Sequence, residues 1–169
     1  MLNDMKPNQL SQEAQTILNS RLSDEYRAFY HYRSAANYCK GVGYKYAAAF
    51  FESEAESELS HARDIEAYMV DWNVTPMLPV INTPVNFMSL TDTIFSSYQI
   101  EYDLYEAYEK DSVTLFDANE ICAFDFLKKY RDIQNESVIE YSDLLSELEL
   151  IDTEDKFQVY YFEKRVFKK

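Results

Sequence analysis

The sequence predicts an all-α protein: a four-helix bundle with one long crossover and a short fifth helix near the C-terminal end. Three observations carry that expectation. Apolar residues recur at spacings of three and four through four long stretches, as in helices that bury one stripe. Only 2 glycines and 4 prolines occur in 169 residues, too few for the many turns of an all-β chain. One 16-residue interval, Asn73 to Met88, holds three of those prolines and has no period.

Residues 1–10 read as a short mobile arm, and residues 11–169 as one domain. The first helix is expected from Ser11 to Lys40, with a seam of Leu18, Leu22, Glu25, Phe29, Tyr32, Ala36 and Cys39. Gly41 and Gly43 are expected to end it, because glycine accepts the left-handed cap conformation. The second runs from Tyr44 to Trp72, on Ala47, Phe51, Glu54, Glu58, His61, Ile65, Tyr68 and Trp72. Ser89 to Asp92 resembles a capping box, with Asp in place of Glu or Gln. It opens a third helix to Phe116, on Ile94, Tyr98, Glu101, Tyr105, Tyr108, Ser112 and Leu115. The fourth spans Glu120–Glu149, on Ala123, Leu127, Tyr130, Gln134, Ser137, Tyr141, Leu144 and Leu148. A last helix, Thr153–Phe167, carries Phe157, Tyr160, Tyr161 and Val166. The long helices would each reach roughly 40 Å at the α-helical rise. The interval from Asn73 to Met88 can extend to roughly 50 Å, whereas a helical hairpin needs only a few residues. A crossover that sets the second and third helices parallel follows.

Bulk properties narrow the function. A formal charge of −14 excludes phosphate-backbone binding and disfavours an anionic membrane surface, while it attracts cations. No apolar run approaches the 18 residues of a membrane span. MLNDMKPNQLSQ has no basic segment followed by an apolar one, so a cytoplasmic location is expected. Cys39 and Cys122 give neither a zinc spacing nor a disulfide framework, and both read as small apolar fillers.

Each seam turns polar at mid-height, at Glu25, Glu58, Glu101 and Gln134, with His61 one turn beyond Glu58. The midpoint between residues 25 and 58 falls in the Gly41–Gly43 turn, and that between 101 and 134 in the Asp117–Asn119 turn. Glu25 and Glu101 are 76 residues apart, and so are Glu58 and Gln134. Folded hairpins would therefore bring all four side chains to one level. A buried carboxylate costs several kcal/mol unless compensated. No Lys or Arg occupies a seam; Arg21, Arg27, Arg63 and Arg131 fall beside it. A cation coordinated by oxygen and imidazole resolves the conflict, and two iron ions bridged by Glu58 suit this donor set. Glu58 and His61 alone would read as a core histidine bonded to one carboxylate; the symmetric placement favours metal. Tyr32, two turns beyond Glu25, can hydrogen-bond a ligand or supply an electron, although packing is its default role. His31 falls one step off the seam and reads as surface. Glu54 fits an ion path or a solvated position equally.

These segments carry a family resemblance: LNSRLSDEY around Glu25, AAAFFESEAESELSH around Glu58 and His61, SYQIE ending at Glu101, FLKKYRDIQNES around Gln134, and the C-terminal VYYFEK. Over residues 11–167 the chain resembles a non-haem ferritin with an H-type-like catalytic subunit. The resemblance implies a ferritin-like bundle, a hollow 24-subunit homo-oligomeric cage, and a ferroxidase centre oxidising Fe²⁺ with O₂ or H₂O₂. It implies a first iron site of Glu25, Glu58 and His61. A second would lie among Glu58, Glu101 and Gln134, with Gln134 acting through a water and Tyr32 beside the centre. Bacterial non-haem ferritins typically have Glu where Ser137 stands, so a weaker second site and no third are expected. Leu59 stands where bacterioferritins present a haem-ligating methionine, so no haem is expected. Two other functions remain open: a shell subunit without a fast ferroxidase step, and a di-iron oxidase of an organic substrate. The second would ordinarily carry another E-x-x-H pair, where this chain has Gln134 and Ser137.

Overall fold

The computed structural model describes residues 9–82 and 86–168, so most of the expected arm lies outside the described residues. Five helices follow in order: α1 (Gln12–Val42), α2 (Lys45–Asp71), α3 (Leu90–Asp117), α4 (Ile121–Leu148) and α5 (Lys156–Phe167). Among the described residues no helix is long and apolar enough to cross a membrane.

Local chemistry sets the ends. Ser11 caps α1 by accepting from the Ala14 amide at 3.1 Å. Gly41 does not end α1: the helix runs through it to Val42, and only Gly43, at φ 95°, turns left-handed. Its amide bonds back to the Cys39 carbonyl, which closes the helix. Ser89 caps α3 through the Asp92 amide at 3.0 Å, while Asp92 accepts from Met88 rather than from Ser89 itself. Asn119, at φ 59°, makes the turn between α3 and α4. α5 begins at Lys156, later than the pattern suggested, because Asp155 caps it through the amides of Phe157 and Gln158.

Pairs of touching residues give the topology. Between α1 and α3, Ser97 bonds His31, Glu101 bonds Tyr32, and Tyr108 bonds Glu25. Residue 25 of α1 lies opposite 108, while 31 and 32 lie opposite 97 and 101, so these helices are antiparallel. Tyr141 meets Phe50, Tyr130 meets His61, and Phe126 meets Tyr68, which makes α2 and α4 antiparallel as well. With antiparallel hairpins on each side, α2 and α3 run parallel, as the long connection requires.

The core follows the seams with local shifts. On α3, Ser97 and Leu104 are buried where the seam named the neighbouring Tyr98 and Tyr105, which stay half-exposed. Leu10, at the end of the expected arm, is buried in the core. Cys39 is buried, but Cys122 is exposed in the first turn of α4 and fills no core space. On α5 the named residues Phe157, Tyr160 and Tyr161 face outward; Val159, Phe162, Glu163 and Phe167 are the buried ones.

The buried acid on α5 has a clear task. Tyr44 precedes α2 and offers its first turn no side-chain cap. The Glu163 carboxyl supplies one from a distance, accepting from the amides of Tyr46 at 2.6 Å and Ala47 at 3.0 Å. Phe167 packs beside it on the rings of Phe50 and Phe51. Glu163→Ala leaves two helix-end donors without an acceptor and should destabilise the fold by about 1–3 kcal/mol, read as a lower denaturant midpoint. Glu163→Gln, which keeps one acceptor, should recover part of it.

Candidate metal centre

Glu25 on α1 and Glu58 and His61 on α2 meet inside the bundle, their ligand atoms all within 4.8 Å of one another. His61 Nδ1 lies 3.3 Å from Glu25 Oε2 and 3.4 Å from Glu58 Oε2. Glu58 and His61 face the same way because they are one helical turn apart. Neither carboxyl is more than 3% exposed. None of the three converging atoms makes a hydrogen bond to the protein among the described residues. Buried polar atoms almost always find a partner, and an ion at their common focus would serve all three.

The second group lies on the other hairpin. Glu101 on α3 accepts from Gln134 Nε2 of α4 at 2.7 Å and from the Tyr32 hydroxyl of α1. Both of its oxygens are thus hydrogen-bonded by side chains, whereas Glu25 Oε2 and Glu58 Oε2 face the His61 ring nitrogen without a hydrogen bond. The charge of Glu101 reaches Glu58, which ties the two groups together electrostatically. Ser137, one turn beyond Gln134, is half-buried.

Burial and mutual charge shift the acids of both groups. Burial and the nearby Glu25 push the Glu58 carboxyl well above the usual carboxylate range. Burial, with the charges of Glu25 and Glu54, carries Glu101 up to about 7, against the lowering bonds from Tyr32 and Gln134. Burial also opposes ionisation of Glu25, but the close approach of His61 and Glu58 and the hydrogen bond from Tyr108 hold it below the ordinary value. Burial would lower His61; pairing with Glu25 and Glu58 outweighs that and raises it to about 10. Arg21, close to the Tyr108 ring, is engaged elsewhere. Itself buried, it pairs with Asp24 at 2.9 Å and Asp111 at 3.3 Å.

Two residues near the centre were not read correctly from the pattern. His31 is buried rather than on the surface, because α3 and the crossover cover it. Its Nε2 lies 3.0 Å from Ser97 Oγ, and Phe87 packs edge-on against its ring. Tyr108, expected only as a seam residue, donates its hydroxyl to Glu25. Glu54 is half-buried and lines a cavity of about 320 Å³ with Phe50, Ser53 and Glu140.

Burial lowers the His31 pKa to about 4 from 6.5. A depressed histidine contributes stability that is present above the unfolded value and is lost as pH falls from 6.5 towards 4. The full loss is on the order of 3 kcal/mol. In His31→Gln that component is absent. Its stability deficit relative to wild type should be largest at pH 7 and shrink towards pH 4, as urea midpoints taken across that range would record.

A family model described as a ferritin-like domain matches residues 15–151. Among curated relatives, a bacterial non-heme ferritin of Staphylococcus epidermidis is 28% identical over 134 residues, covering 78% of this chain and 81% of the relative. A probable bacterial non-heme ferritin-like protein of Haemophilus influenzae is 23% identical, covering 87% and 90%. Among solved structures, an open pore ferritin from the archaeon Archaeoglobus fulgidus superimposes with a TM-score of 0.87 at 20% identity. It covers 95% of this chain and 98% of that one, and it shows a shared fold.

Proposed function

The chain belongs to the ferritin family, and on that premise we propose that it is a catalytic iron-storage subunit. It takes up Fe²⁺ at two adjacent sites in the bundle, oxidises it, and deposits the ferric product inside a cage. The observation that carries this reading is the convergence of Glu25 Oε2, Glu58 Oε2 and His61 Nδ1, buried and without other partners. In the ferroxidase step two ferrous ions give up one electron each, and O₂ takes both with two protons as H₂O₂.

Each side chain has a role in that step. Glu25 and His61 hold the first ion, and Glu58, between the two groups, holds both. Glu101 and Gln134 take the second. Gln134 directs its amide nitrogen at Glu101, so it must turn to offer an ion its carbonyl oxygen. Tyr32 donates its hydroxyl to Glu101 and so orients that carboxyl. The excess of acidic side chains, −14 overall, draws the cation towards the protein from solution. The working assembly is a homo-oligomeric cage of 24 subunits in the cytoplasm, without haem. Native mass measurement tests the cage; a monomer or dimer at near-neutral pH would contradict it. Millisecond mixing of the apo-protein with Fe²⁺ and O₂ tests the chemistry, and oxidation no faster than in buffer would leave only a shell subunit.

Ser137 bears on the second site. The proposed second site has Glu58, Glu101 and a neutral Gln134, so its ion is held by less negative charge than a four-carboxylate site provides. The oxygens of Glu101 are already bonded as well. Ser137→Glu adds a carboxylate one turn from Gln134. It should tighten the weaker of two binding events in a calorimetric titration with Zn²⁺, with slower turnover. Two equal affinities in wild type, unchanged by Ser137→Glu, would remove Ser137 from the site.

A further inference from the structure

We propose that Tyr108 is the positioning residue of the first metal site, presetting Glu25 as Tyr32 sets Glu101; this rests on the two-ion reading above. The Tyr108 hydroxyl donates to Glu25 Oε1, which leaves Oε2 facing His61 Nδ1 at 3.3 Å. On the other side, Tyr32 donates to Glu101 Oε1. Tyr32 and Tyr108 are 76 residues apart, the same interval that separates Glu25 from Glu101. Each tyrosine follows the glutamate of its own helix by seven residues and bonds the glutamate of the other helix. The exchange is reciprocal between α1 and α3.

Packing alone does not call for these hydroxyls. Both rings are fully buried, and each lies against a second tyrosine: Tyr108 on Tyr130 at 6.1 Å, Tyr32 on Tyr141 at 6.2 Å. Phenylalanine would keep those contacts and spare the cost of burying a polar group. The Arg21 guanidinium also sits 5.7 Å from the centre of the Tyr108 ring, which pins the ring while Arg21 itself pairs with Asp24 and Asp111. What the Tyr108 hydroxyl adds is a fixed Glu25 that offers one oxygen to an ion before the ion arrives. Ligands held in place by a surrounding shell bind with less ordering cost. The two halves differ in one respect: Gln134 hydrogen-bonds the remaining oxygen of Glu101, whereas that of Glu25 faces the His61 ring nitrogen at 3.3 Å, itself a ligand atom of the same group. The first site is therefore ready for an ion, and the second must rearrange.

The test is a Zn²⁺ titration of the assembled protein by calorimetry, comparing wild type with Tyr108→Phe and Tyr32→Phe. Tyr108→Phe should weaken the tighter event about tenfold, since a hydrogen bond to a charged group has been removed. The weaker event should stay within about twofold. Tyr32→Phe should do the reverse. Crystals of Tyr108→Phe should show the Glu25 carboxyl turned from its wild-type orientation with the bundle unchanged. Wild-type affinities in Tyr108→Phe, or equal losses at both events, would overturn the proposal. If wild type takes up fewer than two ions, the two-ion reading fails by itself. Tyr108 is then judged on the crystal, where an unmoved Glu25 overturns its role and a turned Glu25 sustains it.

Discussion

Glu58→Ala is expected to abolish fast Fe²⁺ oxidation, leaving a rate close to that of Fe²⁺ in buffer. Glu58 meets Glu25 and His61 and also feels the charge of Glu101, and the proposed function has it serve both sites. Its removal takes a ligand from each ion and ends their common bridge. Two ions held close together are what let one molecule of O₂ take two electrons in one encounter, and separation forfeits that proximity. His61→Ala should act more narrowly, weakening the first site and sparing most of the second. Initial rates from stopped-flow absorbance, with far-UV circular dichroism to verify folding, decide both. A Glu58→Ala protein that oxidises Fe²⁺ at the wild-type rate would remove Glu58 from the chemistry.

The second large effect concerns the apo-protein. Glu25 and Glu58 share a buried space with one imidazole, and the buried Glu101 adds its charge to theirs, an arrangement that costs stability unless a cation offsets it. Zn²⁺ at 100 times its dissociation constant should stabilise wild type by about 2.7 kcal/mol, and Glu58→Ala far less. The pH dependence has a definite sign. In the apo-protein the paired His61 is protonated up to about pH 10, above its ordinary 6.5. Its pairing contributes stability that is fully present below 6.5 and is lost as pH rises through 10. An ion needs the neutral imidazole, so binding displaces that proton. Affinity should therefore rise by up to about tenfold per pH unit for each proton displaced, until His61 loses its proton unaided. Proton release in weakly buffered titrations, compared between wild type and His61→Ala, separates this proton from those of Glu58 and Glu101; binding without release in wild type would show that His61 is not a ligand.

Much of this centre was legible in the chain because helical periodicity fixes which residues share a face, and equal spacings fix which of them share a level. Glu25, Glu58 and His61 needed only the turn at Gly43 to fall opposite one another. Glu101 and Gln134 needed only the turn at Asn119. The single-sequence pattern could not weigh what lies across the bundle. His31 is one step off the seam of α1, and only the approach of Ser97 and Phe87 buries it. Tyr108 was visible as a core position, but its bond to Glu25 depends on the antiparallel register of α1 and α3. A signal was present, since Tyr108 follows Glu101 as Tyr32 follows Glu25. Glu163 could have been sought from the other end: α2 begins at Tyr44 without a side-chain cap, and an uncapped helix start needs an acceptor from somewhere.

Anomalous diffraction from crystals soaked anaerobically in Fe²⁺ tests the central claim, that two ions bind between the hairpins. Two iron peaks are expected, one among Glu25, Glu58 and His61 and a weaker one among Glu58, Glu101 and Gln134. An absence of iron between Glu25 and His61, in crystals that take up iron elsewhere, would contradict it.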